Sequence, residues 1–144
     1  MTKLEIFLKR ITKLNYNDMM QAIWEDPIVQ EKIIELNTDG QLWKGRDAEN
    51  KEFPEYSYVS KDLFDKPDGP IRLYDTGAFY DSFRIIVKGT VAEITANSMK
   101  EGVDLVDKYS EFEIYGLTEE SKTTLLKTIR VAVEDYLKES LRIN

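Results

Sequence analysis

The chain has 144 residues, neither Cys nor His, a net charge of −7, and 42% hydrophobic against 33% charged residues. That length and balance predict one globular domain with a sizeable core. The two missing residue types exclude disulfide frameworks, thiol nucleophiles, imidazole and thiolate metal sites and any imidazole-based triad, and the acidity argues against a surface that coats nucleic acid or an anionic membrane.

Leu4, Phe7, Leu8, Ile11 and Leu14 recur at helical spacing and predict an amphipathic first helix over residues 1–14. Lys3, Lys9, Arg10 and Lys13 against Glu5 give this segment a local net charge of +3. The expectation is a helix packed on the core with a solvated basic face. The alternative is a docking arm for an acidic partner or a DNA backbone. Asn17 is the expected N-cap of a second helical stretch over about 18–38, carrying Met19, Met20, Ile23, Trp24, Ile28, Val29, Ile33, Ile34 and Leu36. Pro27 is expected to kink or restart it, and Asp39-Gly40 to end it.

Residues 40–70 gather Gly40, Gly45, Gly69, Pro54, Pro67 and Pro70 together with Trp43, Phe53, Tyr56, Tyr58 and Phe64. Flexible linkers lack aromatic anchors, so this reads as a long ordered loop with one short strand near 41–44. Its aromatics suit either a protein interface or the covering of a core edge. The segment 75–83 predicts a short helix capped by Asp75 or Thr76, with Phe79 and Phe83 one turn apart.

Alternating Phe83, Ile85, Val87 and Ala92, Ile94, Ala96 around Lys88-Gly89-Thr90 predict a hairpin. Residues 99–109 are expected to form a short helix, and 111–116 an irregular segment. Thr118 is a strong N-cap candidate, with Glu119 and Glu120 favourably placed in the first turn. Leu125, Leu126, Ile129, Ala132, Val133, Tyr136, Leu137 and Leu141 then hold helical spacing for over five turns.

Carboxylates are the only catalytic stock, and Asp75, Asp81 and Glu93 are the nearest candidates for a Mg²⁺-dependent nuclease or hydrolase. Asp75 is better explained as a cap and Asp81 as an exposed helix residue. No phosphate-binding glycine loop and no calcium-loop pattern is present in the sequence. Catalytic, cofactor and metal sites are therefore not expected. Glu111, Glu113, Glu119 and Glu120 form an acidic cluster, which is a solvated face or a surface for a basic partner. An acidic inhibitor-type binding protein is a further alternative, resting on charge alone. No apolar run approaches the ~18–20 residues of a membrane span, and residues 1–5 do not begin a signal-peptide pattern. The chain is expected to be made in the cytosol.

Three segments resemble one family. They are Gln41-Leu42-Trp43-Lys44-Gly45-Arg46-Asp47-Ala48, the kernel running through Leu73, Asp75, Thr76, Gly77, Phe79, Ser82 and Phe83, and Tyr115-Gly116-Leu117-Thr118 opening the last helix. In order and spacing they resemble the virion morphogenesis, or tail-completion, proteins of tailed bacteriophages. The Phe-Tyr pair after Thr-Gly-Ala is most similar to members from phages and prophages of the Bacteroidetes. The resemblance covers residues 28–141.

It implies an α+β fold, with a small curved antiparallel sheet packed against a long N-terminal and a long C-terminal helix. It implies structural roles for the kernel: Thr76 as cap, Gly77 for close approach, Ser82 to end the helix. It also implies a non-enzymatic head–tail connector. Such a protein forms a homo-oligomeric ring at the head–tail junction of the virion, after assembly in the host cytoplasm, next to portal-side or tail proteins. DNA would pass only through the ring lumen, and no membrane is involved. Expected partner contacts are Trp43, Lys44, Arg46, Phe53 and Tyr56 on the loop, and Lys9, Arg10 and Lys13 against Glu111 and Glu113. The sequence departs from the family at 110–115, which is acidic here where many members are Arg-rich, and residues 1–14 lie outside the resemblance.

Overall fold

The structure is a computed structural model and describes residues 1–63 and 65–142. Phe64 lies outside the described residues. The fold is α+β. Three helices come first: α1 (Lys3–Thr12), α2 (Tyr16–Glu25) and α3 (Pro27–Thr38). The N-cap of α2 is Asn15 rather than Asn17, its side chain accepting the Asn17 and Asp18 amides. Pro27 restarts the helix rather than kinking it. Asp26 adopts an extended backbone, ends α2, and caps α3 by accepting the Ile28 amide at 2.9 Å. Pro27 then occupies the first turn, where no amide partner is missed.

Residues 42–44 form a 3₁₀ turn, not the expected strand. Two helices of a few residues follow, α4 (Tyr58–Leu63) and α5 (Ala78–Asp81). The predicted hairpin is present as β1 (Arg84–Lys88) and β2 (Val91–Thr95). Ile85 pairs with Ile94 and Val87 with Ala92, which puts these four apolar residues on one face, while Ile86 and Val91 lie on the exposed face. Positive φ at Gly89, but not at Thr90, suits the tight two-residue turn. Residues 99–109 are not a single helix. They form a second antiparallel pair, β3 (Met99–Lys100) and β4 (Val103–Asp104), and only then the short α6 (Leu105–Lys108). Glu101 and Gly102 both take positive φ and turn the chain. Among the described residues there are thus two two-stranded sheets rather than one.

The last helix, α7 (Glu119–Ser140), starts where Thr118 accepts the Ser121 amide at 3.1 Å. It runs along α3 and α2, and these two also pack on β1. Ile23, Val29, Ile33, Leu125 and Ala132 form the core between these helices. A second core gathers Leu42, Phe53, Leu73, Phe79, Tyr80, Phe83, Leu105 and Ile114. Ile94 packs against both and joins them. Each fully buried aliphatic side chain contributes about 1.5–3 kcal/mol.

Helix α1 departs from its expected role. A capping box between Thr2 and Glu5 starts it, but none of its residues is buried. Leu4, Leu8 and Ile11 lie on one stripe and remain 65%, 50% and 40% exposed.

Candidate functional site

The three segments that carry the family resemblance meet in space. Asn37 and Gln41 lie one helical turn apart, at the end of α3 and just beyond it. Asn37 donates to the Ile114 carbonyl at 2.9 Å and accepts the Gly116 amide at 3.0 Å. Gln41 donates to the Gly116 carbonyl at 2.8 Å and accepts the Thr118 amide at 2.9 Å. Both side chains are buried, so each bond also satisfies a group that water cannot reach.

Asp47 is also buried. It accepts the amides of Glu49 and Lys51 through one oxygen and that of Glu113 through the other. The Ala48 amide donates to the Glu113 carbonyl at 2.8 Å. Gly116, at φ +137, brings its Cα so close to Ala48 that a Cβ would sit 2.9 Å from that side chain. Trp43 meets Tyr74 edge-on at 5.2 Å. Tyr115 packs on Phe83 at 5.6 Å and on Phe79 at 6.4 Å.

Within the kernel, Gly77 stands at the N-cap of α5 with φ +90, and a Cβ there would approach the Tyr74 hydroxyl at 3.1 Å. Thr76 Oγ1 accepts the Ala78 amide at 3.3 Å. Ser82 Oγ donates to the Phe79 carbonyl at 2.6 Å and accepts the Asn97 amide at 2.9 Å, so it ends α5 and pins the exit of the hairpin. Asp75 is not a cap. Its carboxylate bridges Lys100 at 2.7 Å and Lys66 at 3.3 Å. The hydrogen bond from Lys100, then that from Lys66, holds it below the usual carboxylate range. Leu73 is buried although its φ is +55, a conformation that costs a residue with Cβ about 1–2 kcal/mol.

Leu73, Asp75, Thr76, Gly77 and Phe79 of the kernel line a cleft of about 660 Å³. Leu73, Phe79, Ile71, Leu105 and Tyr109 supply its apolar surface. Tyr56, Lys66, Met99, Lys100, Glu101 and Val103 also line it. Met99 and Val103 are 56% and 45% exposed. This size and lining suit an inserted apolar group or side chains of a partner. The β3–β4 wall was not legible in the sequence, because two-residue strands leave no periodic signal.

The other expected contact residues fall into three groups. Phe53 is 2% exposed and stacks on Phe112 at 4.4 Å, so it is a core residue and not a contact. Trp43 is half-exposed beneath the Arg72 guanidinium. Tyr56 is half-buried, its hydroxyl accepting the Arg72 amide at 3.3 Å. Arg46 pairs with Glu52 at 3.3 Å. Lys44, Lys9, Lys13, Glu111 and Glu113 are exposed, and Arg10 is half-buried. Of the carboxylates weighed for metal chemistry, Asp75 is held by lysines and Glu93 pairs with Lys88 at 3.1 Å. Among the described residues, no three acidic side chains come together as a metal-ligand set, and no helix is long and apolar enough to cross a membrane.

The sequence matches no family model, and neither a curated protein nor a solved structure matches it significantly.

Proposed function

We propose that this chain is a structural component of a tailed-phage virion, a head–tail connector or tail-completion protein that assembles as a ring. The observation that carries this reading is the convergence of the three family-like segments. Residues 41–48, 73–83 and 115–118 together, in their order and spacing, resemble the family, and they pack as one unit through Trp43–Tyr74, Gln41–Gly116 and Phe83–Tyr115. A resemblance by chance does not require its pieces to touch. The kernel residues hold the chain in shape, which suits a protein whose task is recognition rather than turnover. The ring stands at the head–tail junction, contacts portal-side or tail proteins, and passes DNA only through its lumen. Subunits are made in the host cytoplasm and join the virion there.

The test is to sequence the locus and read the adjoining open reading frames. Portal, capsid or tail genes on either side are the expected result. Neighbours without virion character, together with Mg²⁺- or Mn²⁺-dependent cleavage that Asp75→Asn abolishes, would overturn the reading in favour of a carboxylate hydrolase.

A further inference from the structure

β1 and β2 form a sheet of two strands, so each of them is an edge strand. Their two-residue turn closes on Lys88 and Val91, which therefore exchange hydrogen bonds. By alternation Ile86 bonds Glu93 and Arg84 bonds Thr95. The amide and carbonyl groups of Ile85, Val87, Ala92 and Ile94 are left pointing out of the two edges. Among the described residues, no hydrogen bond from another element reaches them.

Natural sheets blunt such edges with Pro, bulges or inward charges. This hairpin has none of these: its register is continuous, neither strand contains Pro, and Ile85, Val87, Ala92 and Ile94 are its inward residues. Although α2 and α3 pack on β1, all four inward side chains stay only half-buried. A neighbouring strand would flank them and satisfy the outward backbone groups.

Charge on the outer face selects the strand that fits. The charged residues of the hairpin strands are Arg84 and Lys88 on β1 and Glu93 on β2. Lys88 meets Glu93 at 3.1 Å within the hairpin, with the carboxylate still half-exposed. Arg84 is exposed and has no ion-pair partner among the described residues. Two β1 edges side by side would set cations against cations. Two β2 edges would give Glu93 no new cation. A β1 edge beside a β2 edge, antiparallel and in the register the hairpin itself uses, places Ile86 opposite Glu93 and Arg84 and Lys88 diagonal to it. Ile85 and Val87 then extend the apolar face of Ala92 and Ile94.

We infer that β1 of each copy adds to β2 of the next copy, so that the hairpins join into one sheet running from subunit to subunit. The mode is strand addition at an open edge. The contact is heterologous, because each copy offers a different edge to each neighbour. The inference rests on the self-assembly in the proposed function, and names the edges that carry it.

Light scattering of the purified full chain gives the concentration at which it assembles. Ala92→Pro removes an outward amide and no bond of the hairpin, a position at which edge strands tolerate Pro. This variant should stay folded by circular dichroism and remain monomeric where the wild type assembles. Arg84→Glu and Glu93→Arg each set like charges across the junction. Each alone should raise the assembly concentration about tenfold. Mixed in equal amounts they should return to the wild-type value, because alternating copies put opposite charges at every junction.

Folded Ala92→Pro that assembles like the wild type would overturn the inference, as would a mixture no better than either charge-reversed variant alone. Should Ala92→Pro lose its fold, the mixture decides. A wild-type chain that stays monomeric would also overturn the inference, and leave the edges to a strand of another protein. Rings that form in spite of Ala92→Pro would reject this contact and leave the connector reading standing. Assembly through these edges at a locus without virion genes would do the reverse.

Discussion

The Asn37 side chain accepts the Gly116 amide at 3.0 Å across 79 positions of sequence, and its other arm donates to the Ile114 carbonyl. The end of α3 is thereby fastened to the segment that leads into α7, one turn before Gln41 repeats the same device. This amide pair, together with Asp47, closes the second core.

Replacing Asn37 by Ala strands a buried donor and a buried acceptor. Each stranded group costs about 1–3 kcal/mol, so a loss of about 2–6 kcal/mol is expected in urea unfolding. A loss below about 1 kcal/mol would mean that water reaches these groups and that the clasp is peripheral.

Gly45 and Gly89 separate two effects of glycine. Both have positive φ, at +71 and +61. A Cβ at Gly45 would lie 2.2 Å from the Pro70 ring, whereas one at Gly89 meets nothing within 4 Å. Gly89→Ala should cost about 1–2 kcal/mol, from backbone conformation alone. Gly45→Ala adds overpacking and should cost about 2–5 kcal/mol. Equal losses in parallel denaturant titrations would contradict the close approach of residues 45 and 70.

Burial, more than any neighbouring charge, pushes the Tyr80 phenol well above its ordinary value, and its hydroxyl donates to the Arg72 carbonyl at 2.6 Å. Burial also raises Tyr109 and Tyr115. A raised folded value contributes stability that is fully present below the unfolded value of about 10 and is lost as pH climbs above it. Unfolding free energy should therefore fall above about pH 10, and Tyr80→Phe should reduce the slope. An unchanged slope in the Phe variant would show that Tyr80 does not carry the effect.

Asp75 has the opposite sign. Its carboxyl is lowered by Lys100 and Lys66, so its contribution is present above the ordinary carboxylate value of about 3.9 and is lost as pH falls below it. The carboxylate is 47% exposed, and its ion pairs are worth little. Asp75→Asn should change stability by less than about 1 kcal/mol at neutral pH, and less still in high salt. A large loss would mean that the kernel depends on this charge.

Much of the fold could be read from periodicity and caps. The 119–140 helix, its Thr118 cap and the 84–95 hairpin follow from spacing that tertiary contacts reinforce. The misses share a physical cause. Asn37, Gln41 and Asp47 are polar and read as surface, yet their partners are backbone groups far away in sequence. Phe53 reads equally as an interface anchor or as core, and only its stacking on Phe112 decides. Helix α1 has the pattern of a packed helix, but a pattern does not state which chain supplies the surface it packs on. The cleft depends on two-residue strands and on positive φ at Leu73 and Glu101, neither of which has a local sequence signature.

The proposed connector role requires this chain to build a closed ring. Negative-stain electron microscopy of the purified full chain, with its mass read by light scattering over a range of concentration and salt, tests it most directly. Closed rings of one symmetry that dissociate as ionic strength rises are the expected result. A monodisperse monomer at every concentration and salt would contradict it.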